Sequence, residues 1–142
     1  MGTRSLTVFI DEGGNEICVL YRQFDGYFDG HGLDLANFLK GKEIVNGLAG
    51  DKSMVFNGMG CLAASVVSHF KKEAGSFYLY PAGTRNVWEE YVYEVTGVEG
   101  QEPRIKVGEI DCFASEFEGH MQRALEQQDE QAVASFISGL GE

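Results

Sequence analysis

One stretch limits the fold more than any other: Tyr21-Arg22-Gln23-Phe24-Asp25-Gly26-Tyr27-Phe28-Asp29-Gly30-His31-Gly32. It follows a run of β-branched and aromatic residues and precedes a helical pattern, so it has to turn a strand into a helix. Gly26, Gly30 and Gly32 permit tight turns that residues with a Cβ resist. Asp29 or Gly30 is placed to cap a helix starting near His31, and Asp25 to build the turn before it. Leu33, Leu35, Ala36, Phe38 and Leu39 then recur at helical spacing, and Gly41 suits the stop. A second glycine-rich helix start follows at Asn57-Gly58-Met59-Gly60.

The flanking segments supply the sheet. Leu6–Ile10 and Ile17–Arg22 read as strands joined across Gly13-Gly14, an N-terminal hairpin. Residues 44–56 read as irregular. Met59, Leu62, Ala63, Val66, Val67 and Phe70 predict a helix to about Lys72. One side of it is small, with Cys61, Ala63, Ala64, Ser65 and Ser68 allowing another backbone to approach. Ser76–Tyr80, Glu90–Val95 and Arg104–Ile110 read as three more strands. In the second of these, Tyr91, Tyr93 and Val95 share one face and Val92 takes the other. Ser115 with Glu118 matches a capping box, and Asp129 is placed to cap a last short helix ending at Gly139. The order ββ-αα-βββ-αα without βαβ alternation predicts one α+β domain over residues 1–142. Its sheet is expected to be five-stranded and mostly antiparallel, with helices on one face and residues 111–142 as an acidic helical extension.

Charge is unevenly placed along the chain. Residues 1–85 hold nine acids and eight bases; residues 86–142 hold thirteen acids and three bases, a net of −10 out of −11. Such a field repels phosphates and favours basic partners, which argues against direct binding to nucleic acid. No apolar run approaches the ~20 residues of a membrane span. Cys18, Cys61 and Cys112 are odd in number and widely spaced, and each has apolar neighbours. They read as small core residues in a reducing, cytoplasmic setting rather than as disulfides.

Chemical constellations are sparse. Asp25, Asp29, His31 and Asp34 offer oxygen and imidazole ligands, but not at an EF-hand spacing. A small metal-dependent hydrolase using that loop is one reading. The two glycine-rich helix starts expose backbone N–H groups to an anion. Arg22, Asp25, Tyr27, His31 and Asn57, with Tyr80 stacking a base, would form a nucleotide site. Neither start matches a dinucleotide fingerprint or a Walker loop. No Gly-x-Ser-x-Gly elbow occurs, and no catalytic set or cofactor is assigned. The exposed-contact candidates are Trp88, Glu89 and Glu90 before a strand, and Glu116, Glu118, Glu126, Asp129 and Glu130 towards the chain's end.

Residues 21–27 with Gly30-His31-Gly32, then Asn57–Ala64, Tyr78–Gly83 and Glu89–Tyr93, resemble the motif blocks of a small family found in bacteria, archaea and their phages, which has no assigned activity. The resemblance spans about residues 6–110 and implies a gene pool engaged in host–phage conflict. With the acidic residues 86–142, it leads to the expectation of a non-catalytic, phage-type inhibitor. The partner would be a basic protein such as a host nuclease or CRISPR effector, met by nucleic-acid mimicry in the host cytoplasm. A nucleotide-signal sponge is the alternative, and a homo-oligomer is compatible with either.

Overall fold

A computed structural model describes residues 2–48, 50 and 52–140, with side chains within helix 117–140 described as far as Glu130. The N-terminal hairpin forms as the sequence predicts: β1 is Ser5–Ile10 and β2 is Glu16–Arg22, antiparallel with Val8 opposite Val19. The 21–32 stretch leaves β2 and closes into a π-helical turn, Phe28–Gly32, which runs directly into α1, Leu33–Leu39. The helical turn therefore begins before His31, with Tyr27 in the cap position. Neither Asp29 nor Gly30 caps it; both lie inside the turn.

The segment read as irregular holds two short parallel strands, β3 (Glu43–Val45) and β4 (Val55–Asn57), a separate two-stranded sheet. Then come α2 (Gly58–Phe70), β5 (Phe77–Pro81) and β6 (Tyr91–Thr96). The run read as one strand at 104–110 is two: β7 (Arg104–Val107) and β8 (Ile110–Phe113), folded at Gly108-Glu109 with Val107 opposite Ile110. The main sheet therefore has six strands rather than five, ordered β5-β2-β1-β6-β7-β8. Every pairing in it is antiparallel except the central one, β1 with β6.

A single helix α3, Phe117–Leu140, ends the chain where two were expected, and Asp129 lies within it rather than at a cap. The capping interaction also falls two residues early. The Phe113 N–H donates to Glu116 Oε1 at 2.9 Å, before a 3-10 turn at Ala114–Glu116. The Ser115 N–H donates to Glu102 Oε1 at 2.6 Å instead of opening a box with Glu118.

The three helices pack on one face of the sheet. There Phe9, Leu20, Tyr93, Val95, Ile105 and Val107 meet Leu35 and Leu39 of α1, Leu62 and Val66 of α2, and Phe117 and Met121 of α3. Among the described residues no helix contributes to the cluster on the other face, where Leu6, Val8, Val19 and Tyr21 are buried against Ile10, Tyr80, Val87 and Val92. Residues 82–90 supply Val87 to that cover. The Arg85 guanidinium fastens the segment by gripping Glu16, Nη2 to Oε1 at 2.6 Å, while the Gly83 N–H donates to Glu16 Oε2 at 2.6 Å. Hydrogen bonding by Arg85, against the opposing cost of burial, holds the Glu16 carboxyl below its usual pKa. Of the cysteines, Cys112 is buried and Cys18 half-buried, but Cys61 is exposed on α2; the apolar neighbours of Cys61 in sequence point to other sides of the helix.

Candidate functional site

The 21–32 stretch builds a closed polar knot. Arg22 ends β2 on the helix-bearing face, with its guanidinium carbon 5.1 Å from the Phe77 ring centre. Its Nη1 lies 3.2 Å from His31 Nδ1 and 3.0 Å from Asp34 Oδ2. A guanidinium only donates, so Nδ1 accepts and the imidazole proton sits on Nε2. That nitrogen is 2.6 Å from Thr7 Oγ1 on β1, to which it donates. His31 is fully buried, edge-on to Tyr93 at 5.1 Å and beside Phe70 at 5.4 Å. Burial first, and the Arg22 charge second, push its pKa down to about 3. The Tyr93 hydroxyl donates to Gly26 O at 2.7 Å, and burial drives its pKa upward.

The glycines serve this close packing. A Cβ on Gly26 would lie 2.8 Å from Ser5 Cβ and 2.9 Å from the Arg4 carbonyl carbon, and one on Gly32 would lie 2.7 Å from the Phe117 ring. The backbone of β1 cannot yield in the first case, and buried aromatic packing resists it in the second.

The six residues read as a nucleotide site do not line one cavity. Arg22 and His31 face each other inside the molecule. Asp25 accepts from the Tyr27 hydroxyl at 2.9 Å on the outer side of the loop. Tyr80 packs on Tyr21 at 5.5 Å, on the opposite face of the sheet. Asn57 precedes α2, whereas Phe70, at the far end of that helix about 19 Å along it, is the residue that touches His31. The start of α2 already holds an anion: the Met59 N–H donates to Glu12 Oε1 at 2.8 Å. Asn57 is occupied in accepting from the Gly47 N–H at 2.8 Å. Among the described residues no group of three or more His, Cys, Asp and Glu side chains is gathered to hold a metal ion.

The outward features lie elsewhere. Trp88 is 83% exposed and sits at φ +67°, with Asn86 at φ +61°. An aromatic residue in the left-handed region is strained and needs its surroundings to hold it. Glu89 does so from below, accepting the Val87 N–H at 2.8 Å and the Asn86 N–H at 3.3 Å, and the Glu90 N–H donates to Arg4 O at 2.9 Å. Glu89 and Glu116 are thus engaged with their own backbone. Glu90, Glu118, Glu126, Asp129 and Glu130 are exposed.

These carboxylates do not form one tight cluster. Trp88 and Glu90 precede β6, while Glu116 follows β8 beyond Phe113, which aligns through Arg104 with Thr96 at the far end of β6. The two ends are about 20 Å apart along the strand. Within the main sheet, however, the strands divide by sequence region. Strands β5, β2 and β1, from the near-neutral residues 1–85, form one side of the sheet; β6, β7 and β8, from the acidic residues 86–142, form the other.

Sequence reasoning missed two surface features: the apolar groove between α2 and the β5 edge, and the strained backbone beneath Trp88. The small residues on α2 signalled the first; nothing in the residue types signalled the second. No helix among the described residues is long and apolar enough to cross a membrane. Compared with known proteins, the chain matches no family, no curated protein and no solved structure.

Proposed function

We propose that this chain is a non-catalytic binding protein that docks its acidic half on a basic protein groove of the kind a nucleic-acid-handling nuclease presents. The carrying observation is that the charge asymmetry of the sequence is kept in the order of the strands, because the sheet divides between β1 and β6. A concentrated negative field steers association with a cationic surface and discriminates against phosphates. Trp88 supplies an anchor, rigid and outward, of the residue type most often found at binding hot spots. The polar knot at His31 belongs to the scaffold in this reading, since its groups are satisfied by one another. An RNA-guided effector nuclease of host defence is the partner we favour.

The test is inhibition of purified RNA-guided nucleases, with unrelated basic nucleases alongside, at roughly 50 and 300 mM salt. One of them should be bound and inhibited at low salt, with affinity falling at the higher. Charge reversal at Glu90 and Glu118, or Trp88→Ala, should loosen it about tenfold or more. Binding indifferent to salt and to these substitutions, or no binding to any, overturns the proposal.

A further inference from the structure

Helix α3 changes character partway along. Phe117 and Met121 are buried and Ala124 and Leu125 pack against the core. From Glu126 to Glu130 every residue is exposed. Those residues span more than the ~3.6 of one turn, and the helix there borders the body only across an open recess that Gln127 and Gln128 line with Phe28, Gly108 and Ile110. The backbone stays helical to Leu140. Over that remainder the sequence carries no charge, and Val133, Phe136, Ile137 and Leu140 fall at the i, i+3, i+4, i+7 spacing of a single stripe. At about 100° per residue, this stripe is centred about a third of a turn away from the one made by Phe117, Met121, Ala124 and Leu125.

The same chain carries a matching receptor. Between α2 and the sheet edge at β5 lies an apolar groove of about 460 Å³, walled by Ile17, Ala63, Ala64, Val67 and Leu79. Leu79 is 59% exposed on the edge strand. The small residues of α2 let a second helix approach closely. That helix is about 20 Å long, and a ten-residue segment spans about 15 Å. Lys71 and Lys72 stand at one end of α2, and Glu126, Asp129 and Glu130 immediately precede the apolar stripe on α3. The groove lies at the β5 edge, whereas α3 departs from beside β8, about 24 Å across the six strands.

We propose that residues 131–140 of α3 occupy the α2–β5 groove of a second copy of this chain, and that the exchange is reciprocal. The recognition is helix-in-groove, with the four apolar positions as anchors. The acidic stretch before them meets the lysines at the end of the partner's α2, bringing the acidic half of each copy to the near-neutral half of the other. Because each copy gives a helix and receives one, the assembly closes at two chains.

Light scattering and native mass spectrometry of the full chain over a range of concentrations decide this. The chain should dimerise. Phe136→Asp on the helix, and Ala64→Arg or Leu79→Lys in the groove, should each weaken the dimer tenfold or more while leaving the circular dichroism unchanged. Mixing the Phe136→Asp and Ala64→Arg chains should restore a weaker pair, joined through the one helix and one groove left intact. A chain that stays monomeric throughout overturns the proposal. So does a dimer that Phe136→Asp breaks but both groove substitutions spare, since that is pairing of α3 with α3.

Discussion

Protonating His31 would set a second cation 3.2 Å from the Arg22 guanidinium, in a site that Thr7, Phe70 and Tyr93 close to water. The folded chain resists this, and the His31 pKa drops from the usual 6.5 to about 3. The unfolded chain takes up the proton near pH 6.5 and the folded chain does not. The contribution of neutral His31 is thus complete above pH 6.5 and is lost as pH falls from there towards 3. The loss is roughly 1–1.5 kcal/mol for each pH unit in that window. Glu16, whose pKa is lowered, adds its own loss only below about 4.5. His69 is also shifted down, by partial burial and then by Lys72 and Lys42, but it is exposed and its share is screened. Urea midpoints between pH 6.5 and 4.5 should therefore fall steeply for the native chain. They should fall much less for His31→Gln, whose amide can still donate towards Thr7 and accept from Arg22. Equal slopes would show that the buried imidazole is not what acid attacks.

Among the elements, α2 depends on a residue distant in sequence. Its cap position, Asn57, makes no side-chain cap hydrogen bond, and Glu12 from the β1–β2 turn accepts the Met59 N–H in its place. A carboxylate at a helix start is favoured by both the hydrogen bond and the helix dipole, so Glu12→Ala should cost about 1 kcal/mol. Thermal unfolding should show that loss for Glu12→Ala and almost none for Glu73→Ala, an exposed acid beyond the helix's other end. A cost shared equally would sink the assignment. This contact also shows where sequence reading stops. The hairpin, the helical spacing of α2 and the face alternation of β6 were legible because each pattern is local. The receptor for the orphan N–H of α2 lies 47 residues away and follows no period. The split of 104–113 into β7 and β8 did leave a local signal, Gly108 inside an alternating run. The continuity of α3 left the opposite one, since Asp129 has the chemistry of a cap but a helix already under way passes through it. In the 21–32 stretch the residue types were read correctly as an unusual cluster. The burial of His31 could not be read, because it depends on Thr7 and Tyr93 arriving from the two central strands.

At the scale of the whole molecule, chain order and charge coincide. One parallel pairing, β1 with β6, joins strands of the nearly balanced residues 1–85 to strands of residues 86–142, which hold thirteen acids and three bases. Two of those bases are accounted for locally: Arg104 pairs with Asp111 at 3.1 Å, and Lys106 sits opposite the same residue in the β7–β8 register. Carboxylates about 20 Å apart still repel one another at the ~30 Å screening length of 0.01 M salt, so at low salt the folded chain carries a like-charge repulsion along these strands. Replacing an exposed acid of that half, Glu109→Lys, removes one repelling charge and adds an attracting one. It should raise stability at low salt by about 0.5 kcal/mol. The same reversal at Glu73, which follows Lys71 and Lys72 in the other half, gains nothing and adds a cation beside two. The gap between the two variants should close as salt rises towards 1 M, where screening acts within about 3 Å. If both reversals changed the melting temperature alike at low salt, the field would be uniform, and the acidic half would lose its claim to be the surface that recognises a basic partner.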